Sequence, residues 1–88
     1  MYTQNEVFEP VEVIAHFHNL KIEILRFKWK NDIFKVNEIL NIWKIPYGES
    51  FNTHFIAVCK DSDMICELSF NHTDMKWELI QYDSLCWI

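Results

Sequence analysis

Apolar residues recur at every second position over most of this chain, the spacing of a strand with one buried face. From Val11 the odd positions read Val11, Val13, Ala15 and Phe17, against Glu12, His16 and His18. From Leu25 they read Leu25, Phe27 and Trp29, against Arg26, Lys28 and Lys30. Phe55, Ala57 and Cys59 alternate with His54, Ile56, Val58 and Lys60. Met64, Cys66, Leu68 and Phe70 alternate with Ile65, Glu67 and Ser69, and Trp77, Leu79 and Gln81 with Glu78, Ile80 and Tyr82. One Gly and two Pro in 88 residues leave few breakers, so long strands with tight polar turns are expected. The expected fold is all-β: one domain over residues 1–88, with about six strands in an antiparallel meander. The sheet is expected to be strongly curled, or a half-open barrel, with its aromatic face on the concave side.

Turn chemistry sets an expected register. Asn31-Asp32 tolerates the positive φ that a two-residue hairpin turn requires. That turn pairs Trp29 with Phe34, Lys28 with Lys35 and Phe27 with Val36, and puts Phe27, Trp29, Phe34 and Val36 on one face. A two-residue turn at Ser62-Asp63 sets Cys59 opposite Cys66, Ala57 opposite Leu68 and Phe55 opposite Phe70. Asn71–Asp74 is the next turn, and Pro46–Ser50 reads as a loop. The expected core is Phe27, Trp29, Phe34, Val36, Trp43, Phe55, Leu68, Phe70, Trp77 and Leu79.

Residues 34–47 break the alternation. Phe34, Val36, Leu40 and Ile42 share one parity, while Ile39, Trp43 and Ile45 occupy the other. A β-bulge near Asn37-Glu38, a strand coiled so that both faces are covered, or a helix over 36–43 would each account for it. β-Branched residues and the lack of an N-cap favour the strand. The apolar Leu85–Ile88 terminus is expected to pack rather than dangle.

Half of the residues are apolar and 16% are aromatic, which excludes disorder and supplies large buried areas from a short chain. A net charge of −5 argues against strong non-specific attraction to nucleic acid or anionic lipid. Residues 1–10 contain Glu6 and Glu9 and lack a basic start and an apolar run, so no signal peptide is expected. No apolar stretch is long enough to span a membrane. Three cysteines without a CxxC pair fit reduced thiols, and a cytoplasmic location is expected.

Few residues suggest chemistry. His16 and His18 share a strand face at a spacing that metal sites use, but a site needs a third ligand. His54, His72 and Glu12 are available, and nothing in the sequence gathers them, so two solvent-facing histidines are expected and no metal. Cys59 and Cys66 are expected to pack as small apolar groups. Arg26, Lys28, Lys30 and Lys35 fall on one face of the first hairpin. They form a candidate anion or nucleic-acid contact, weighed against a solvated face that protects an edge. The patch lacks the exposed aromatic platform of single-strand binders, since Phe27 and Trp29 face the other way. With Gly48 alone there is no phosphate loop, and the serines sit in no nucleophile motif, so neither catalytic residues nor a cofactor is expected.

The stretch Leu25–Trp43 carries Phe27-x-Trp29, a short turn, Phe34-x-Val36 and a later Trp43. Further on come Glu67-Leu68 and Trp77-Glu78-Leu79. Over residues 10–83 this pattern resembles a family of small bacterial β-domains of unknown function, which occur alone or associated with accessory proteins of error-prone Y-family polymerases. The resemblance implies an accessory β-domain, in the setting of DNA-damage tolerance, and its motif is structural rather than catalytic. The expected function is a non-enzymatic protein-interaction module, with nucleic-acid or anion binding by the basic hairpin as the alternative. The expected partners are another protein, unspecified by the sequence, or a second copy in a homodimer. Nucleic acid ranks below both, and no membrane is expected.

Overall fold

The computed structural model describes residues 5–19 and 21–85. They form seven strands: β1 (Asn5–His18), β2 (Lys21–Trp29), β3 (Asp32–Lys35), β4 (Glu38–Tyr47), β5 (Ser50–Cys59), β6 (Met64–Asn71) and β7 (Lys76–Ser84). All pairings are antiparallel, in the single-sheet order β3-β2-β1-β7-β6-β5-β4. The expected all-β fold is therefore present, with one more strand than expected and a different connection. The chain is two meanders, β1–β3 and β4–β7, joined where β1 lies beside β7.

The sheet curls until its two edges nearly touch. Val36 N–H donates to Leu25 C=O at 3.0 Å, extending the β2–β3 ladder. The very next amide, Asn37 N–H, donates to Val58 C=O at 2.8 Å and opens the β4–β5 ladder. Two adjacent peptides are thus bonded to opposite ends of one sheet, which stays short of a closed barrel. Asn37 Oδ1 also accepts from Lys60 N–H at 2.7 Å, tying this switch point to the β5–β6 turn. The strand interruption at 36–37 replaces the helix considered for 36–43.

The concave face is the core. Ile24, Phe27, Phe55, Ala57, Cys59, Met64, Cys66, Leu68, Phe70 and Leu79 are buried there, with Trp29, Phe34, Val36, Ile39, Trp77 and Tyr82 packed around them. Nine of the ten expected core residues lie in this set. Trp43 does not: it sits on the outer face against His54, with ring centroids 5.5 Å apart. A bulge explains the difference. Ile39 pairs with Ala57 but Asn41 with Ile56, so Leu40 is an extra residue, and it separates the parity of Ile39 from that of Trp43.

The same device recurs. Leu25 is extra between Arg26 and Ile24, which pair with Ile14 and Ala15. It turns Ile24 inward, 4% exposed, and is itself left 44% exposed, contrary to its expected place beside Phe27. Ile80 is extra between Leu79 and Gln81, so Tyr82 rather than Gln81 reaches the core side. The bulges in β2 and β7 let one strand supply core residues of both parities.

Both expected hairpin registers are off by two residues, which keeps every side chain on its face but changes its partner. The first turn is Lys30-Asn31, with φ of 51° and 68°, the left-handed pair of a type I′ turn. Phe34 accordingly faces Phe27, stacked at 5.1 Å, and meets Trp29 only diagonally at 6.2 Å. Arg26, not Lys28, stands opposite Lys35. The second turn spans four residues, a 3-10 turn at Lys60–Ser62 ended by Asp63 at φ 52°. Cys59 therefore faces Met64, and Ala57 faces Cys66. The expected Asn71–Asp74 turn is present, with Asn71 Oδ1 accepting from the Thr73 and Asp74 amides. The expected Pro46–Ser50 loop shrinks to Gly48-Glu49, and Pro46 is part of β4. Leu85 donates its amide to Asp63 C=O. The rest of the apolar terminus, 86–88, lies outside the described residues.

Candidate functional site

Among the described residues, two surfaces on the outer side of the sheet and the β4–β5 edge are the main candidates. The first is the basic hairpin. Arg26, Lys28, Lys30 and Lys35 are all exposed, as expected, but they do not form one uniform cationic field. Arg26 and Lys35 face each other across the ladder, an unfavourable like-charge pair. Lys28 stands between Ile33 on β3 and Glu12 on β1. Lys30 lies over the Trp29 ring, 4.9 Å from its centroid. A groove of about 410 Å³ runs beside this tip, lined by Glu12, Lys28, Trp29, Lys30 and Asn31 among others, so an acid is built into the cationic surface. Trp29 is held from behind, donating Nε1–H to Glu9 Oε1 at 2.9 Å.

The second surface lies over β4–β7, and sequence reasoning missed it. His54, Glu67 and Ser69 are buried although they point away from the core. His54 Nδ1 is 2.6 Å from Glu67 Oε2, and Gln81 Nε2–H donates to Glu67 Oε1 at 2.9 Å. Trp43 stacks on the imidazole from the β4 side. The β5–β6 register makes the network: His54 faces Ser69, and Glu67, two residues along, reaches back diagonally. The signal was a run of polar residues at the non-core positions of strands with apolar neighbours. Its partners became visible only once the register was known. A His–carboxylate contact beside a serine is also the raw material of nucleophilic catalysis, but no hydrogen bond joins Ser69 to His54 among the described residues.

His16 and His18 are neighbours on β1, with ring centroids 4.7 Å apart. His54 belongs to the outer-face network. His72 lies elsewhere, bonded to Thr53 Oγ1 at 2.7 Å and packed against Phe51 and Phe70. Glu12 faces Lys28. Among the described residues no three His, Cys, Asp or Glu side chains gather as a metal site, and no helix is long and apolar enough to cross a membrane.

Cys59 and Cys66 are free thiols in the core, diagonal neighbours rather than a facing pair. The Cys59 thiol at its side and its own burial push the Cys66 pKa up, so it stays protonated. Neither thiol should react with iodoacetamide in the native protein, and both should react once it is unfolded. Fast native alkylation of either, read by intact mass, would show that this part of the core opens.

The third feature is apolar and exposed. Leu40, Ile42, Ile45, Tyr47 and Phe51 lie along the β4–β5 hairpin, with Ile42 at 54% and Tyr47 at 62% exposure. β4 is also an edge strand. Its two-residue turn closes on the Tyr47–Ser50 pair, so Asn41, Trp43, Ile45 and Tyr47 use their backbone groups on β5, and Ile42, Lys44 and Pro46 point theirs outward. Ile42 N–H is taken by Asn41 Oδ1 at 3.0 Å, and Pro46 has none to offer. Lys44 keeps the remaining outward amide of this stretch. The edge is blunted against strand addition while its side chains stay apolar.

No protein-family description, curated protein or solved structure matches the chain.

Proposed function

We propose that this protein is a non-enzymatic interaction module whose contact surface is the β4–β5 hairpin. The observation that carries the reading is the exposed apolar set Leu40, Ile42, Ile45, Tyr47 and Phe51 on one hairpin. Large exposed apolar surface marks association sites on soluble domains, and here it flanks the β4 edge on both sides: the register puts Ile42 and Phe51 on the Phe55 face and Ile45 and Tyr47 on the His54 face. Its blunted edge directs a partner to the side chains, so recognition rests on shape and apolar burial rather than on main-chain pairing. A cytoplasmic setting is part of the proposal, in keeping with thiols that pack as apolar groups. The link to Y-family polymerase accessory proteins stands on the sequence resemblance alone.

A photo-crosslinking residue placed at Ile42 or Tyr47 should give a discrete protein adduct in native lysate, and one placed at Glu23 or Glu78 should not. Ile42→Glu should abolish the Tyr47 adduct while the melting temperature stays within a few degrees. Equal adducts at all four positions would overturn the hairpin as the contact surface.

The alternative, nucleic-acid or anion binding, is favoured by the Arg26/Lys35 pair, since like charges held opposite each other gain from a shared anion. Glu12 within the patch and the net charge of −5 weigh against it. Binding to single- or double-stranded DNA is expected to be weak or absent at physiological salt. Sub-micromolar binding that weakens steeply with salt, and that disappears in a Lys28/Lys30/Lys35 triple alanine variant, would reverse the order of the two readings.

A further inference from the structure

We infer that the partner of the β4–β5 hairpin is a second copy of this chain, packed about a two-fold axis; the inference rests on the hairpin being the contact surface. Exposure is the first argument. Leu40, Ile42, Ile45, Tyr47 and Phe51 keep 36–62% of their surface exposed on a single hairpin, and a second copy offers the same apolar side chains in return.

Charge is the second argument. The chain carries −5, so two copies repel over most approaches. Between Leu40 and Thr53 the only charged residues are Lys44 and Glu49, which cancel. The hairpin thus carries no net charge with which to repel the same surface of a second copy. A cationic partner would instead be drawn to the acidic surfaces elsewhere.

The form of the edge is the third argument. With the Ile42 amide capped and Pro46 on the outward row, two β4 strands cannot zip into a continuous sheet. Contact between side chains about a two-fold axis, where the same patch serves both copies, closes at two subunits and does not grow into a fibre. The association entropy offsets much of the gain from apolar burial, and a dimer in the micromolar range is expected.

The test is sedimentation velocity on the full chain over a hundredfold concentration range into the high micromolar, with wild type, Ile42→Glu and Tyr47→Glu. Wild type should move from 10.7 kDa to twice that mass, and each variant should dimerise at least tenfold more weakly with unchanged circular dichroism and melting. A constant 10.7 kDa for wild type would overturn the second copy as partner. If hairpin probes then still trap another protein in lysate in an Ile42-dependent way, the interaction reading stands and only the self-association fails. A dimer unaffected by either substitution would overturn the hairpin as its interface.

Discussion

Phe27→Ala should cost about 3–5 kcal/mol, the usual range for emptying a buried aromatic site. Phe27 is 1% exposed, stacks on Phe34 at 5.1 Å, and sits on β2 in the core. A domain with about 5–15 kcal/mol of total stability loses a large share of it, so partial unfolding at room temperature is expected. Trp29→Ala should cost less, because Trp29 is only half-buried and meets Phe34 diagonally. Urea titrations of the two variants decide the register. A larger loss for Trp29 than for Phe27 would mean that the Lys30-Asn31 turn is misplaced.

The second large effect is expected at the outer face. His54→Leu leaves the Glu67 carboxylate buried with Gln81 as its remaining side-chain partner. Removing one member of a buried pair costs about 3–5 kcal/mol, mostly from the charge left behind. Replacing both, as His54→Leu with Glu67→Met, should recover much of that loss, since two apolar groups of similar size need no partner. A double-mutant cycle by thermal melting reads the coupling directly. Additive losses would show that the two side chains stabilise the protein independently, whatever their 2.6 Å separation.

Much of the architecture was legible in the residues. Alternation located the strands, and the face of each hairpin side chain survived a register error of two residues because an even shift preserves parity. Turn chemistry was less legible. Asn31-Asp32 was the natural turn by composition, yet Lys30 takes φ 51°, since the stacking of Phe27 on Phe34 outweighs the modest strain of a lysine in that region. The exposed hairpin residues Leu40, Ile42 and Ile45 were visible as an apolar surplus. Ile22, Ile24 and Ile39 belonged to the same surplus and found places in or against the core.

The amino-acid sequence by itself determined an all-β domain, its strand locations, nine of its ten expected core residues and the exposed basic hairpin. Local periodicity carries all of these, because a side chain's face depends only on its own strand. Tertiary structure alone decided that β1 lies beside β7, that Leu25, Leu40 and Ile80 are bulges, and that His54, Glu67 and Gln81 meet. A bulge exists only relative to the strand opposite. A cross-strand network likewise depends on which residues stand level, and that is settled by the packing of the whole curled sheet.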